Sequence, residues 1–405
     1  MKYVIVHGDG MADWACAELG GRTPLEAARK PNMDRIASCG ELGMVATIPQ
    51  GMAPGSDVGT MTMLGYDPAR YHTGRAPIEA ASQGLPVGAG DAVFRMNLVS
   101  LKEEDEGLTM ADFTAGHIGS DEAAALVQSL QARLGGDEIR FYPGVSYRHL
   151  MVWRGGPVTA QTTPPHDITD RAVASHLPRG EGAQRLNQLM KEARTILAGH
   201  PVNQARLAAG KAAATDVWFW GQGRPPALPT LKQRFNKQGA AISAVDLVRG
   251  LGRLAGLEII NVPGATGYLD TDYAAKGRFG LEALRRCDFL LLHIEAPDEA
   301  GHMGRADLKV EALERIDELI VGPLLRGLPA MGEFRLLLMP DHATPCRLKT
   351  HSSEPVPYAL VSSVALTSSA GRQRRYTEAE GLRAGPALSE GYRLIDRLFE
   401  ANAGE

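Results

Sequence analysis

The stretch Phe289-Leu290-Leu291-Leu292-His293-Ile294-Glu295-Ala296-Pro297-Asp298 decides the fold. Its apolar run is continuous rather than alternating, which suits a strand buried on both faces of a parallel sheet. The same pattern recurs twice. Tyr3-Val4-Ile5-Val6 leads into Asp9, and Leu336-Leu337-Leu338-Met339 leads into Asp341. In open α/β sheets, ligands gather outside the carboxyl ends of the strands. Three aspartates converging there would repel one another unless cations held them. His302, His342 and His351 stand beside them in the chain. The pattern predicts a metal enzyme built on an α/β sheet.

Working outward, residues 1–91 read as α/β. A strand at 3–6 enters a glycine-rich turn, a helix-and-turn stretch opens at Thr23-Pro24, and the loop MAPGSDVG (52–59) leads into a helix that Ser56-Asp57 could cap. From residue 92 the texture changes. AVFRMNLVSL and LTMADF flank the acidic turn KEEDEG as a hairpin. A helix follows at 121–134, then strands at EIRFYPG and YRHLMVW, a Pro/Thr-rich loop and a second helix beginning at Gln184. This mixture reads as a small α+β unit. VWFWG (217–221), AAISAVD and EIINVPG then restore an α/β texture, and 371–385 reads as a polar surface loop. The economical organisation is one α/β domain, 1–91 with 210–405, interrupted by an inserted α+β domain, 92–209.

The chain has 405 residues, 44% of them hydrophobic, enough for two cores. Its net charge of −4, with both signs dispersed, gives no general field for nucleic acid or an anionic membrane. Cys16, Cys39, Cys287 and Cys346 show no CxxC spacing and read as free thiols in a reducing compartment. The chain opens directly into a strand, and no apolar run approaches the ~20 residues of a membrane span. A cytoplasmic location is the expectation.

The chemistry lies in the strand-end residues. Asp298-x-x-x-His302 puts two ligands four residues apart, and Pro297 and Gly301 predict a tight loop there rather than a helix. Asp341-His342 offers adjacent ligands that point in different directions. Mixed carboxylate and imidazole donors suit Mn²⁺, Zn²⁺ or Fe²⁺ better than Ca²⁺. Six such ligands exceed one tetrahedral site, so two ions are expected. Paired metals suit phosphoryl transfer, and Ser56, near a helix start, is a candidate nucleophile. Gly88-Ala89-Gly90 lacks the strand and third glycine of a dinucleotide fingerprint, and no Walker A motif is present.

HGDGMAD, TPLEAARKPNMDRIASCGELG, MAPGSDVGTMTMLGYDP, HIEAPDEAGHMG and MPDHATPCRLKTHSSEPVP together resemble the cofactor-independent phosphoglycerate mutases, archaeal-type branch, of the alkaline phosphatase superfamily. The resemblance spans essentially the whole chain. It implies a phosphatase-like core with a mostly parallel sheet, and an inserted lid that keeps water from a phosphoserine. It implies that Ser56 is the phosphorylated nucleophile. Asp9, Ser56, Asp341 and His342 look like the ligands of one metal, and Asp298, His302 and His351 like those of the other. The implied reaction is interconversion of 2- and 3-phosphoglycerate with Mn²⁺, Zn²⁺ or Co²⁺ and without 2,3-bisphosphoglycerate. His117, Arg148 and His166 are candidate contacts to this small phosphorylated substrate, and Lys276 looks like a lysine that contacts the phosphoryl group. A metal-dependent phosphomonoester hydrolase, or a phosphotransferase acting on another small metabolite, uses the same ligands and stays open.

Overall fold

The structure is a computed structural model that describes residues 1–105, 107–367 and 373–400. Among these, the strands are, in chain order, β1 (Lys2–Gly8), β2 (Glu41–Val45), β3 (Ala92–Glu104), β4 (Gly107–Asp112), β5 (Ile139–Tyr142), β6 (Arg148–Trp153), β7 (Asp216–Gly223), β8 (Gly239–Ile242), β9 (Glu258–Ile260), β10 (Phe289–Ile294), β11 (Phe334–Met339) and β12 (Val356–Ser362). The three apolar runs of the sequence become β1, β10 and β11.

They form the middle of a seven-stranded sheet ordered β2-β12-β11-β1-β10-β8-β9. β11, β1, β10, β8 and β9 are parallel, while β12 runs antiparallel to both of its neighbours. The register sets Ile5 opposite Leu291 and Leu337, and His7 opposite His293 and Met339. The strands therefore end level with one another, and the residues that follow emerge at one edge. Val4, Ile5, Val6 and the leucines of β10 and β11 are wholly buried. Burying each such side chain contributes about 1.5–3 kcal/mol, which makes this register hard to slip.

The chain divides into two compact units, Met1–His72 with Leu228–Glu405, and Thr73–Ala227. The second unit is wider than the 92–209 read from sequence, for two packing reasons. The helix Arg75–Gln83 buries Ala76 and Ala80 against Val93, Leu150 and Val152 of the antiparallel sheet. VWFWG is not a strand of the α/β sheet: it lies in β7, which pairs antiparallel with β3. That sheet is built on β3, which takes β6 and then β4 along one side and β7 along the other. Helices Ser120–Leu134 and Ala183–Ala198 cover it. The acidic turn joins β3 to β4 as read, with Glu106 outside the described residues.

Three local expectations change. Residues 296–302 form a helix (Ala296–His302) rather than a loop, because Pro297 sits in its first turn, where no backbone N–H is needed. Gly301 is required by packing: a Cβ there would lie 2.4 Å from the Thr344 carbonyl oxygen. Ser56 is the first residue of the helix Ser56–Met63 and Gly55 takes the cap position, so the hydroxyl is free for other work. Within 371–385, residues 378–383 are helical and capped by Thr377, while Gly371 and Arg372 lie outside the described residues. All four cysteines are free thiols. No described helix is long and apolar enough to cross a membrane.

Candidate metal centre

Asp9 follows β1, Asp298 and His302 lie on the helix after β10, and Asp341 and His342 follow β11. Ser56 opens a buried helix, and His351 sits in the loop before β12. All seven belong to the first unit, and they meet. The ligating atoms of Asp9, Asp341 and His342 lie within 4.8 Å of one another, as do those of Asp298, His342 and His351. Gly10 makes the convergence sterically feasible. Its φ is +57°, and a Cβ would stand 2.4 Å from Thr344 Oγ1 and 2.5 Å from Asp298 Oδ1.

Hydrogen bonding decides which atoms face inward. Thr344 gives its hydroxyl proton to Asp298 Oδ1, so it can only accept from His342 Nδ1, 3.2 Å away. His342 Nε2 is then a bare lone pair. It points at Ser56 Oγ (3.3 Å), Asp341 Oδ2 (3.3 Å) and Asp9 Oδ1 (3.5 Å). Both of these carboxylate oxygens are buried without a hydrogen-bond partner.

The second cluster obeys the same logic. His302 Nδ1 faces the Lys349 carbonyl at 3.1 Å, and His351 Nδ1 faces the Pro54 carbonyl at 3.3 Å. Carbonyls only accept, so both Nδ1 atoms carry the protons. The two Nε2 lone pairs then confront each other at 3.0 Å, with Asp298 Oδ2 3.1 Å from His302 Nε2 and Asp298 Oδ1 3.6 Å from His351 Nε2. Confronted lone pairs and orphaned carboxylate oxygens are what cations remove, so the residues present fit two of them. Cis donors about 3 Å apart match metal–ligand bonds of about 2.1 Å.

The electrostatics agree. Burial, together with Asp341, Glu295 and Asp298, drives the Asp9 carboxyl well above its ordinary range. Burial pulls the His342 imidazole below its ordinary range, in keeping with a neutral ring. Without metal, a proton stands in for the cation: hydrogen bonding to Asp298 lifts His302 to about 9.

His117, Arg148 and His166 belong to the second unit and are exposed. His166 packs edge-on against Trp220 (5.3 Å) and Phe113 (6.0 Å). Phe113 contacts Tyr147, whose ring lies beneath the Arg148 guanidinium. Lys276 belongs to the first unit and is wholly buried. Its ammonium donates to the His293 carbonyl oxygen at 3.3 Å, and burial brings its pKa down to about 8.

Sequence reading assigned no role to His7, His293, Glu295 or Thr344. His7 Nε2 lies 3.2 Å from Asp341 Oδ1, and His293 Nε2 lies 2.9 Å from Asp9 Oδ2 and 3.2 Å from Glu295 Oε2. A polar residue breaking an apolar run just before a ligand was the available signal, at position 7 and again at position 293.

A family model described as 2,3-bisphosphoglycerate-independent phosphoglycerate mutase matches residues 37–203. Curated enzymes of that description include one from Methanothrix thermoacetophila, 48% identical over 400 residues, covering 98% of this chain and 100% of that protein. Another, from Methanothermobacter thermautotrophicus, is 48% identical over 405 residues, covering 100% of this chain and 98% of that protein. Among solved structures, a Pyrococcus horikoshii protein superposes with a TM-score of 0.81 at 27% identity, covering 100% of both chains. The cofactor-independent phosphoglycerate mutase from Thermoplasma acidophilum gives 0.68 at 25% identity, covering 98% of this chain and 99% of that one. Similarity this high over the full length leaves one conclusion: the chain belongs to the family of 2,3-bisphosphoglycerate-independent phosphoglycerate mutases.

Proposed function

We propose that this chain interconverts 2-phosphoglycerate and 3-phosphoglycerate through a phosphoserine on Ser56, using two divalent cations and no bisphosphoglycerate. As a member of its family the chain is an isomerase. The observation that carries the mechanistic reading is the convergence on the bare His342 Nε2 of Ser56 Oγ and the unpartnered oxygens of Asp9 and Asp341. Asp9, Ser56, Asp341 and His342 would hold one ion, and Asp298, His302 and His351 the other. When bound, the ions supply positive charge that lowers the serine hydroxyl pKa and neutralises the phosphoryl oxygens.

The chain's own residues then divide the work. Ser56 Oγ gives up its proton and bonds to phosphorus as the bond from phosphorus to one glycerate oxygen breaks, and that oxygen takes up a proton and leaves as a hydroxyl, so the step is proton-neutral. The other glycerate hydroxyl next attacks the phosphoserine, loses its proton and restores Ser56. Nothing is oxidised and no water is consumed, so the site must exclude water between the two transfers. The second unit would serve as the lid, with Arg148, His117 and His166 answering the substrate's negative charge. Mn²⁺, Zn²⁺ and Co²⁺ all accept this donor set.

The test is a coupled assay of 3-phosphoglycerate conversion on Mn²⁺-loaded protein without added bisphosphoglycerate, with inorganic phosphate followed in parallel. Fast isomerisation with little free phosphate is expected, and Ser56→Ala should abolish it without loss of fold. Phosphate release without isomerisation would make the chain a hydrolase, and substantial turnover by Ser56→Ala would remove the phosphoserine from the reaction.

A further inference from the structure

Each carboxylate in the first cluster has two oxygens, and one of each lies near His342 Nε2 without a hydrogen-bond partner. For Asp9 the choice is made by a chain of hydrogen bonds across three neighbouring parallel strands. Ser243 lies just past β8, His293 lies in β10 and Asp9 lies just past β1; all three are buried. The backbone N–H of Val245 donates to Ser243 Oγ at 2.9 Å. The serine proton then has two acceptors in reach, His293 Nδ1 at 2.9 Å and the Val245 carbonyl at 3.4 Å. The shorter contact goes to the ring. The imidazole proton therefore stays on Nε2 and is donated to Asp9 Oδ2 at 2.9 Å. Asp9 Oδ1 is left without a partner, 3.5 Å from His342 Nε2.

We infer that His293, held in one tautomer by Ser243, is a positioning residue that turns Asp9 so that Oδ1 faces the cation shared with Asp341, His342 and Ser56. The inference rests on the two-cation reading above. His293 acts through Asp9 and needs no contact with substrate. Lys276 packs its ammonium against the carbonyl of the same histidine, which braces the strand end. The approach of Glu295 Oε2 to His293 Nε2, 3.2 Å, could instead mark a third ion with His293 as a ligand. Charge argues against that: two divalent ions and Lys276 already outweigh the carboxylates of Asp9, Asp298, Asp341 and Glu295.

The experiment is calorimetric titration of the chelator-stripped full chain with Mn²⁺ alone, for wild type, His293→Phe, His293→Gln and Ser243→Ala. Wild type should bind two equivalents. His293→Phe should weaken one of them 10–100-fold and leave the other unchanged. His293→Gln keeps an amide donor and should recover most of that loss, and Ser243→Ala should show a smaller loss in the same equivalent. Ser243→Ala keeps the test decisive if His293→Phe does not fold. Two wild-type equivalents with unchanged binding in His293→Phe and Ser243→Ala, or equal weakening of both equivalents, would overturn the positioning role alone. Three wild-type equivalents, one lost in His293→Gln, would overturn it in favour of a ligand role. Fewer than two in wild type would overturn the two-cation reading, and the positioning role with it.

Discussion

Lys309→Met should destabilise the first unit by about 3–5 kcal/mol. The ammonium is wholly buried on the helix Ala306–Ile316 and donates three hydrogen bonds: to Asp13 Oδ2 at 2.8 Å, the Thr344 carbonyl at 2.9 Å and the Ala12 carbonyl at 3.0 Å. Hydrogen bonds to a charged group are worth about 1.5–3 kcal/mol each. Their sum overshoots, because the variant no longer desolvates an ammonium. Breaking one side of a buried pair typically costs about 3–5 kcal/mol. Methionine keeps the length of the stem, so the loss reports charge and hydrogen bonding rather than a cavity. Asp13 keeps its backbone donors, Trp14 N at 2.7 Å and Cys346 N at 3.1 Å, which caps the cost at the upper figure. Urea unfolding followed by circular dichroism measures the loss. A double-mutant cycle with Asp13→Asn should show the two changes costing less together than the sum of their separate costs, by about 2 kcal/mol. A single-variant loss under about 1 kcal/mol, or strict additivity, would refute the reasoning. Lys309 ties 12–13 to 344, the loops that follow Asp9 and Asp341-His342. The variant should therefore also bind Mn²⁺ more weakly.

Gly10→Ala should cost more than about 1 kcal/mol and lower metal occupancy, because its φ of +57° and the 2.4–2.5 Å approaches to Thr344 and Asp298 leave no room for a methyl group; full Mn²⁺ stoichiometry by elemental analysis would contradict this. Thr344→Val removes the hydroxyl that donates to Asp298 and accepts from His342. Mn²⁺ affinity should fall about tenfold or more, and an unchanged titration would show that the tautomer of His342 is set elsewhere. Chelation should abolish mutase turnover and Mn²⁺ should restore it; turnover persisting after the metal is shown to be gone would exclude the two-cation mechanism.

Much of the candidate site was legible because Asp9, Asp298 and Asp341 follow apolar runs. Phe289–Leu292 could be read as a buried strand without knowing its neighbours, and an aspartate past such a strand has few structural reasons to be there. The helical state of 296–302 was misread because Pro297 and Gly301 were weighed as breakers, whereas each is accommodated by its place: the proline in the first turn, the glycine against Thr344. VWFWG was misplaced because a buried strand of a parallel sheet and one of an antiparallel sheet have the same composition when both faces are covered. Only the pairing of β7 with β3 separates them.

The amino-acid order alone determined the three central strands, the seven candidate ligands and the family the chain resembles, since these depend on residue type and local spacing. Tertiary structure decided what depends on register. Setting His7 opposite His293 brings both rings beneath the carboxylates, and setting Ser243 beside His293 selects the ring's tautomer. Which oxygen of Asp9 is left for a cation follows from hydrogen bonds between residues 9, 243 and 293, and a separation of that size in the chain carries no trace of a contact that only parallel strand pairing creates.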